Sequence, residues 1–169
     1  MTLDILGRFE ISCFLRKILQ KIRADYLHLR TDEIPRLDII KANSEAATAA
    51  YIRHKRKALD EIGFKCIVHE PKTVNELLHL ANQLNSDKSV HGIIVQLPVR
   101  LDIPIHSSKL FSLIKPWKDV DCLNPVNLGV LAMSEASPYF CPCTPEAVMS
   151  LLDHYGIEMA GKHVCIVGR

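Results

Sequence analysis

Gly92-Ile93-Ile94-Val95 offers solvent no polar side chain on either side, and the run ends abruptly at Gln96-Leu97-Pro98. A strand with one wet face alternates apolar and polar residues, whereas a short unbroken apolar run fits a strand covered on both faces, as in parallel sheets flanked by helices. Gln96 falls at the carboxyl end of this strand. Open α/β sheets bind ligands outside the carboxyl ends of their strands, so an amide there is placed for recognition rather than packing.

The rest of the chain supplies the helices that such a strand needs. Ile11, Leu15, Ile18, Ile22, Tyr26 and Leu29 recur at steps of three or four with basic residues between them, which predicts an amphipathic helix over 9–30. Pro35 ends the connection and a short strand is expected at 37–40. Asn43 or Ser44 would cap a second helix that runs to Ile62 and stops at Gly63. A strand at 64–69, a helix from Thr73 to about Asn85 and the strand at 92–97 follow in order. Beyond Asp102 the pattern is less regular, with a helix expected at 106–114 and a polar loop around Lys118 to Asn127. Thr144-Pro145-Glu146 reads as a helix start reaching Tyr155, and His163 to Val167 as a further buried-type strand. The expected fold is therefore α/β: a doubly wound, mostly parallel sheet with flanking helices, plus the first strand of a truncated Rossmann unit.

Composition narrows the classes. A chain of 169 residues that is 48% hydrophobic can bury one core. Its net charge of +2 comes from interspersed signs, which gives no electrostatic case for nucleic acid. Six cysteines at positions 13, 66, 122, 141, 143 and 165 lack zinc-ligand spacing and read as thiols in a reducing compartment. No apolar run approaches the length of about 20 residues that spans a membrane. Asp4 and Glu10 argue against a secretory signal, and the expected location is cytoplasmic. The basic residues from Arg8 to Arg30 leave a mitochondrial address open, with the acidic residues counting against it.

Two constellations carry chemistry. The expected core stripe of the second helix reads Ala47, Tyr51, Lys55, Ala58 and Ile62, which sets a lysine one turn after a tyrosine. Partial desolvation would make the neutral amine of Lys55 available for catalysis; the plainer alternative is a lysine snorkelling at the rim. Lys118-Asp119-Val120-Asp121 sends both carboxylates to one side if extended, one for a ligand nitrogen and one for the loop. An Asx-type turn with solvated charges accounts for the motif equally well.

Taken in order, Tyr51-Ile-Arg-His-Lys55, Val95-Gln96-Leu97-Pro98, Lys118-Asp-Val-Asp121, Asn127-Leu-Gly129, Pro142-Cys-Thr-Pro145 and Gly161-Lys162 resemble the signature series of the methylenetetrahydrofolate dehydrogenase/methenyltetrahydrofolate cyclohydrolase family. The resemblance runs from about Ile5 to Arg169. It implies a folate-binding catalytic domain over 1–143, then a linking helix and the first strand of an incomplete NAD(P)-binding Rossmann domain over 144–169. It implies that Lys55 is the general acid/base, that Gln96 hydrogen-bonds and tunes it, and that Asp121 holds the pterin ring. Tyr51 would pack on the aminobenzoyl group, with Val95, Leu97 and Pro98 beside the substrate. Gly168 and Arg169 would begin the NAD(P) turn, and tetrahydrofolate derivatives and a second copy of the chain would be the partners. The family oxidises the methylene to the methenyl form with NAD(P) and hydrolyses that to the 10-formyl product.

The sequence stops where the cofactor turn would continue, so the dehydrogenase half is expected to be lacking in the chain by itself. The alternative to an enzyme is a non-catalytic folate-binding or dimerising fragment. Short-chain dehydrogenases also use Tyr-x-x-x-Lys, but they need a glycine-rich turn near the N-terminus, and residues 1–40 hold only Gly7. Cys122 stands where the family has glycine, a position where a side chain is strained if the backbone needs positive φ.

Overall fold

The computed structural model describes residues 8–26, 28, 33–133 and 139–167, with the backbone alone for 8–15. Its elements are α1 (Arg8–Tyr26), β1 (Arg36–Lys41), α2 (Ala46–Ile62), β2 (Lys65–His69), α3 (Val74–Ser86), β3 (Gly92–Gln96), α4 (Ser107–Ser112), a 3₁₀ turn at Pro116–Lys118, α5 (Pro125–Met133) and α6 (Cys143–His154). The three strands form a parallel sheet in the order β2-β1-β3. The chain steps outward from β1 to β2, then returns past β1 to β3. α2 packs against Ile39 and Ile94 and α3 against Ile40, Ile93 and Val95, so the two helices lie on opposite faces, which is the doubly wound arrangement expected.

The two faces of the sheet have separate apolar clusters. Ile39 and Ile94 meet Ile52 of α2, with Leu37, Val68 and Val120 at the margin. Ile40, Ile93 and Val95 meet Leu77, Ala81 and Leu84 of α3 and Leu110 of α4. Alternate residues of β1 and β3 thus serve opposite faces, and Ile39 and Ile40 are both wholly buried. The end signals work locally. Gly63 takes the left-handed conformation at φ 81° and donates its N–H to Asp60 O. Thr73 Oγ1 accepts from the N–H of Glu76, while the Glu76 carboxylate accepts from the N–H of Lys72.

Four expectations need correction. First, α1 ends at Tyr26, and Leu29 lies outside the described residues. Tyr26 stacks edge-on against Phe64, with ring centroids 5.3 Å apart. Second, the buried side chains of α2 are Thr48, Ile52 and Ile62, so that of the expected stripe Ile62 is buried while Ala47, Tyr51 and Lys55 are not. The β-branched Ile52 reaches the sheet, which turns Ala47 and Tyr51 outward and leaves Lys55 half-buried. Nor does Ser44 cap this helix: Asn43 Oδ1 accepts from the N–H of Glu45, and Glu45 occupies the cap position without a side-chain bond.

Third, the polar stretch after Asp119 contains α5. Asn124 Oδ1 accepts from the N–H of Val126 and Pro125 opens the helix, a start signal legible in the sequence and outweighed by the surrounding polar residues. Fourth, residues 162–167 form no strand, and Ile166 and Val167 are almost fully exposed. Strand conformation is stabilised by a ladder, and no described strand lies beside this segment. α6 is likewise left with no buried residue.

Beyond β3 the chain returns to run beside the first residues of that strand. Asp119 forms a parallel bridge with Ile93, and Val120 crosses directly over Gly92. A Cβ on Gly92 would lie 2.7 Å from Val120 Cγ1 and 3.2 Å from Leu37 Cδ1, so the close approach depends on glycine. Gly92→Ala is expected to lower the unfolding free energy by about 1–3 kcal/mol through overpacking, measured by denaturant titration.

Candidate functional site

The carboxyl ends of β1 and β3 lie level, because Lys41 is registered with Gln96. Gln96 projects from this end, and its Oε1 accepts a 3.0 Å hydrogen bond from Lys55 Nζ on α2. The expected contact between these two residues is therefore present. A neutral amide, rather than a carboxylate, partners the amine, so Lys55 is oriented without being locked into an ion pair. Tyr51 lies one turn earlier on α2 with 65% of its surface exposed, presenting a flat apolar ring beside Lys55.

The two aspartates divide their tasks. Asp119 is buried, and its Oδ2 accepts from the backbone N–H of Asn124 at 2.7 Å and from Asn127 Nδ2 at 3.2 Å. It organises the loop. Lys118 is buried too, and its Nζ donates to the carbonyls of Leu84 and Asp87 at the end of α3. Burial pulls the Lys118 pKa downward. Asp121 remains partly exposed. The next residue, Cys122, is fully buried and has φ +56°, the positive value at which glycine's freedom would matter.

Sequence reasoning grouped Cys143 with ordinary thiols and so missed its place in the site. Its Sγ lies 3.2 Å from the carbonyl oxygen of Val120, to which the thiol donates. Its pKa is pushed up to about 11, first by desolvation of the sulfur and then by the charge of Asp121, while Lys55 opposes the shift. Asp121, Cys143 and Lys55 thus converge on one spot, joining the start of α6 to the end of the sheet. The only sequence signal was the position of Cys143 at a helix start beside proline.

The remaining expected residues fall as follows. Leu97 is exposed and Pro98, after a cis peptide bond, is half-buried. Val95 packs its side chain into the α3-side core, which removes it as a side-chain contact to a ligand. Gly168 and Arg169 lie outside the described residues. Among the described residues no group of three or more His, Cys, Asp or Glu side chains is arranged to hold a metal, and no helix is long and apolar enough to cross a membrane.

A separate groove of about 470 Å³ runs along α2 and the end of β2, and its lining includes Arg53, Arg56, Lys57, Asp60 and Glu70. Tyr51, Lys55, Gln96 and Asp121 do not line it. The strand-end cluster is the better candidate, because there an amine, an amide and a carboxylate converge where the sheet topology directs ligands.

Residues 12–121 match the family model described as the tetrahydrofolate dehydrogenase/cyclohydrolase catalytic domain. The chain belongs to this family. It is 40% identical over 153 residues to the bifunctional protein FolD of Exiguobacterium sibiricum, covering 88% of this chain and 54% of that protein. The FolD of Ruminiclostridium cellulolyticum is 36% identical over 173 residues, covering this chain fully and 58% of the relative. Among solved structures, the FolD methylenetetrahydrofolate dehydrogenase/cyclohydrolase of Campylobacter jejuni superposes with a TM-score of 0.81 at 38% identity, over 89% of this chain and 54% of that one. The Trypanosoma brucei enzyme, solved with NADP and an inhibitor, gives 0.75 at 34% identity, over 94% and 53%. The chain thus spans about half the length of these relatives.

The environment of Cys143 yields a pH prediction. A thiol with pKa about 11 is only about one part in a thousand thiolate at pH 8, so alkylation by iodoacetamide should be slow there and rise nearly tenfold per pH unit toward 11. Asp121→Asn removes a negative charge that holds the proton on, so it should lower the Cys143 pKa and speed alkylation at fixed pH, as read by peptide mass spectrometry.

Proposed function

We propose that this chain is the folate-handling part of a methylenetetrahydrofolate dehydrogenase/methenyltetrahydrofolate cyclohydrolase, and that its own residues serve the hydrolytic step. The observation that carries this reading is the 3.0 Å hydrogen bond from Lys55 Nζ to Gln96 Oε1 at the carboxyl end of β3, within the family's matched segment. Tyr51 offers a face for the aminobenzoyl ring, and Asp121 accepts from the pterin N–H groups.

In hydrolysis, the oxygen of a water molecule forms a bond to the cationic methenyl carbon, and the bond from that carbon to N5 of the folate breaks. N5 keeps the electron pair and takes a proton, N10 keeps the formyl group, and one proton is released overall. Lys55 is the group placed to take a proton from the water and return it to N5; Gln96 fixes the direction of the amine during both transfers.

NAD(P) is the cofactor that the family relationship implies. The described residues include no glycine-rich turn from a strand onto a helix N-terminus of the kind that holds a pyrophosphate, and residues 162–167 stand apart from the sheet. The fit is therefore not met within them, and no hydride step is assigned to the residues described. Tetrahydrofolate derivatives as ligands and a second copy as partner belong to the same proposal.

Lys55→Ala should reduce methenyltetrahydrofolate hydrolysis by on the order of 10²- to 10⁴-fold, followed by loss of methenyl absorbance, with folate binding retained by calorimetry. Equal rates in variant and wild type would overturn the catalytic role of Lys55. Folate binding without hydrolysis by the wild type would mark the chain as a binding module.

A further inference from the structure

The amine and amide of the candidate site come from different elements, and a small set of bonds fixes one against the other. Lys55 belongs to α2, whereas Gln96 is the last residue of β3 and leads into the loop at 97–100. Asn43, in the turn between β1 and α2, bonds in both directions. Its Oδ1 accepts from the N–H of Glu45 at 2.9 Å, which fixes the start of α2. Its Nδ2 donates to the carbonyl oxygen of Pro98 at 2.5 Å, which fixes the loop two residues beyond Gln96.

The same turn takes two more bonds from that loop. The backbone N–H of Arg100 donates to Ala42 O at 2.7 Å, and the Arg100 guanidinium meets Glu45 Oε1 at 2.7 Å. These differ in weight. Arg100 is 70% exposed, so its ion pair is of the surface kind that contributes little. Asn43 is half-buried and links the two elements through a single rigid amide. Among the described residues, the Gln96 side chain meets, besides Lys55, a 3.5 Å contact from Nε2 to Leu97 O.

We infer that Asn43 is a positioning residue for the Lys55–Gln96 pair, setting the amide of Gln96 at bonding distance from Lys55 by tying the 97–100 loop to the start of α2. The inference rests on the proposed hydrolytic function only for its kinetic consequence. The geometry requires donor and acceptor together: the acceptor half of Asn43 serves α2, and the donor half serves the loop.

Asn43→Asp separates the two halves, since a carboxylate keeps the acceptor for the Glu45 N–H and loses the donor to Pro98 O. In this variant kcat for methenyltetrahydrofolate hydrolysis should fall about tenfold, KM should change by less than about threefold, and the pH profile of kcat should shift. Arg100→Ala, which removes only the exposed ion pair, should stay within about twofold of wild type.

The side-chain amide resonances of Gln96, followed by ¹⁵N NMR on the free chain and assigned through Gln96→Ala, supply a readout independent of turnover. They should move in Asn43→Asp and stay in place in Arg100→Ala, with the thermal midpoint of both variants near that of wild type. Unchanged Gln96 resonances in Asn43→Asp overturn the inference whether or not the wild type hydrolyses folate. Displaced resonances without wild-type hydrolysis uphold the positioning role and count against the proposed function alone. Displaced resonances with an unchanged kcat and pH profile in a hydrolysing chain overturn the kinetic role of Asn43.

Discussion

The parallel pairing of β1 with β3 governs the rest of the structure. Ile40 is registered with Val95 and Lys41 with Gln96, so the two strands finish together and their following segments leave from one edge. Because side chains alternate along a strand, a slip of one residue would exchange the faces packed by α2 and α3. It would also carry Gln96 away from Lys55. The site is thus a consequence of register before it is a consequence of any single polar contact.

A second dependence lies across the sheet end. Gly92 lacks the Cβ that would exclude Val120, so the returning chain can cross β3 closely enough for Asp119 to bridge to Ile93. Asp119 then holds Asn124 and Asn127, and α5 begins from that loop. Asp121 and Cys122 are placed by the same crossing, and the thiol of Cys143 is seated on the carbonyl of Val120. One absent methyl group therefore connects the sheet, the loop and the first turn of α6.

Much of this was legible in the sequence, because the decisive signals are local. The unbroken run at Gly92 to Val95, the stop at Gly63 and the cap at Thr73 each act within a few residues, and the structure places elements where they direct. The helical face of α2 was less legible: Tyr51 and Ile52 are both large and apolar, and only the packing of Ile52 between Ile39 and Ile94 selects which of them is inward. The expected strand at 163–167 had the right composition, but a strand also needs a neighbour, which composition does not encode. Cys143 escaped notice because its role depends on Asp121 and Lys55, brought together from distant parts of the chain.

Asp38, away from the site, is fully buried in the central strand. Its carboxylate lies 2.7 Å from Arg36 Nε, accepts at 2.8 Å from a terminal nitrogen of the same guanidinium, and lies 2.6 Å from His69 Nε2 on β2. The Arg36 guanidinium holds its proton more firmly than usual, chiefly through its hydrogen bond to Asp38. An ionised carboxylate inside a sheet is tolerable only where such companions meet it. A slip of β1 by one residue would turn Asp38 and Arg36 together toward the apolar face packed by Ile52 and would part Asp38 from His69, so the collapsing chain has an internal spelling check: the wrong alignment is marked by a buried charge short of a companion, and the right one by its full complement.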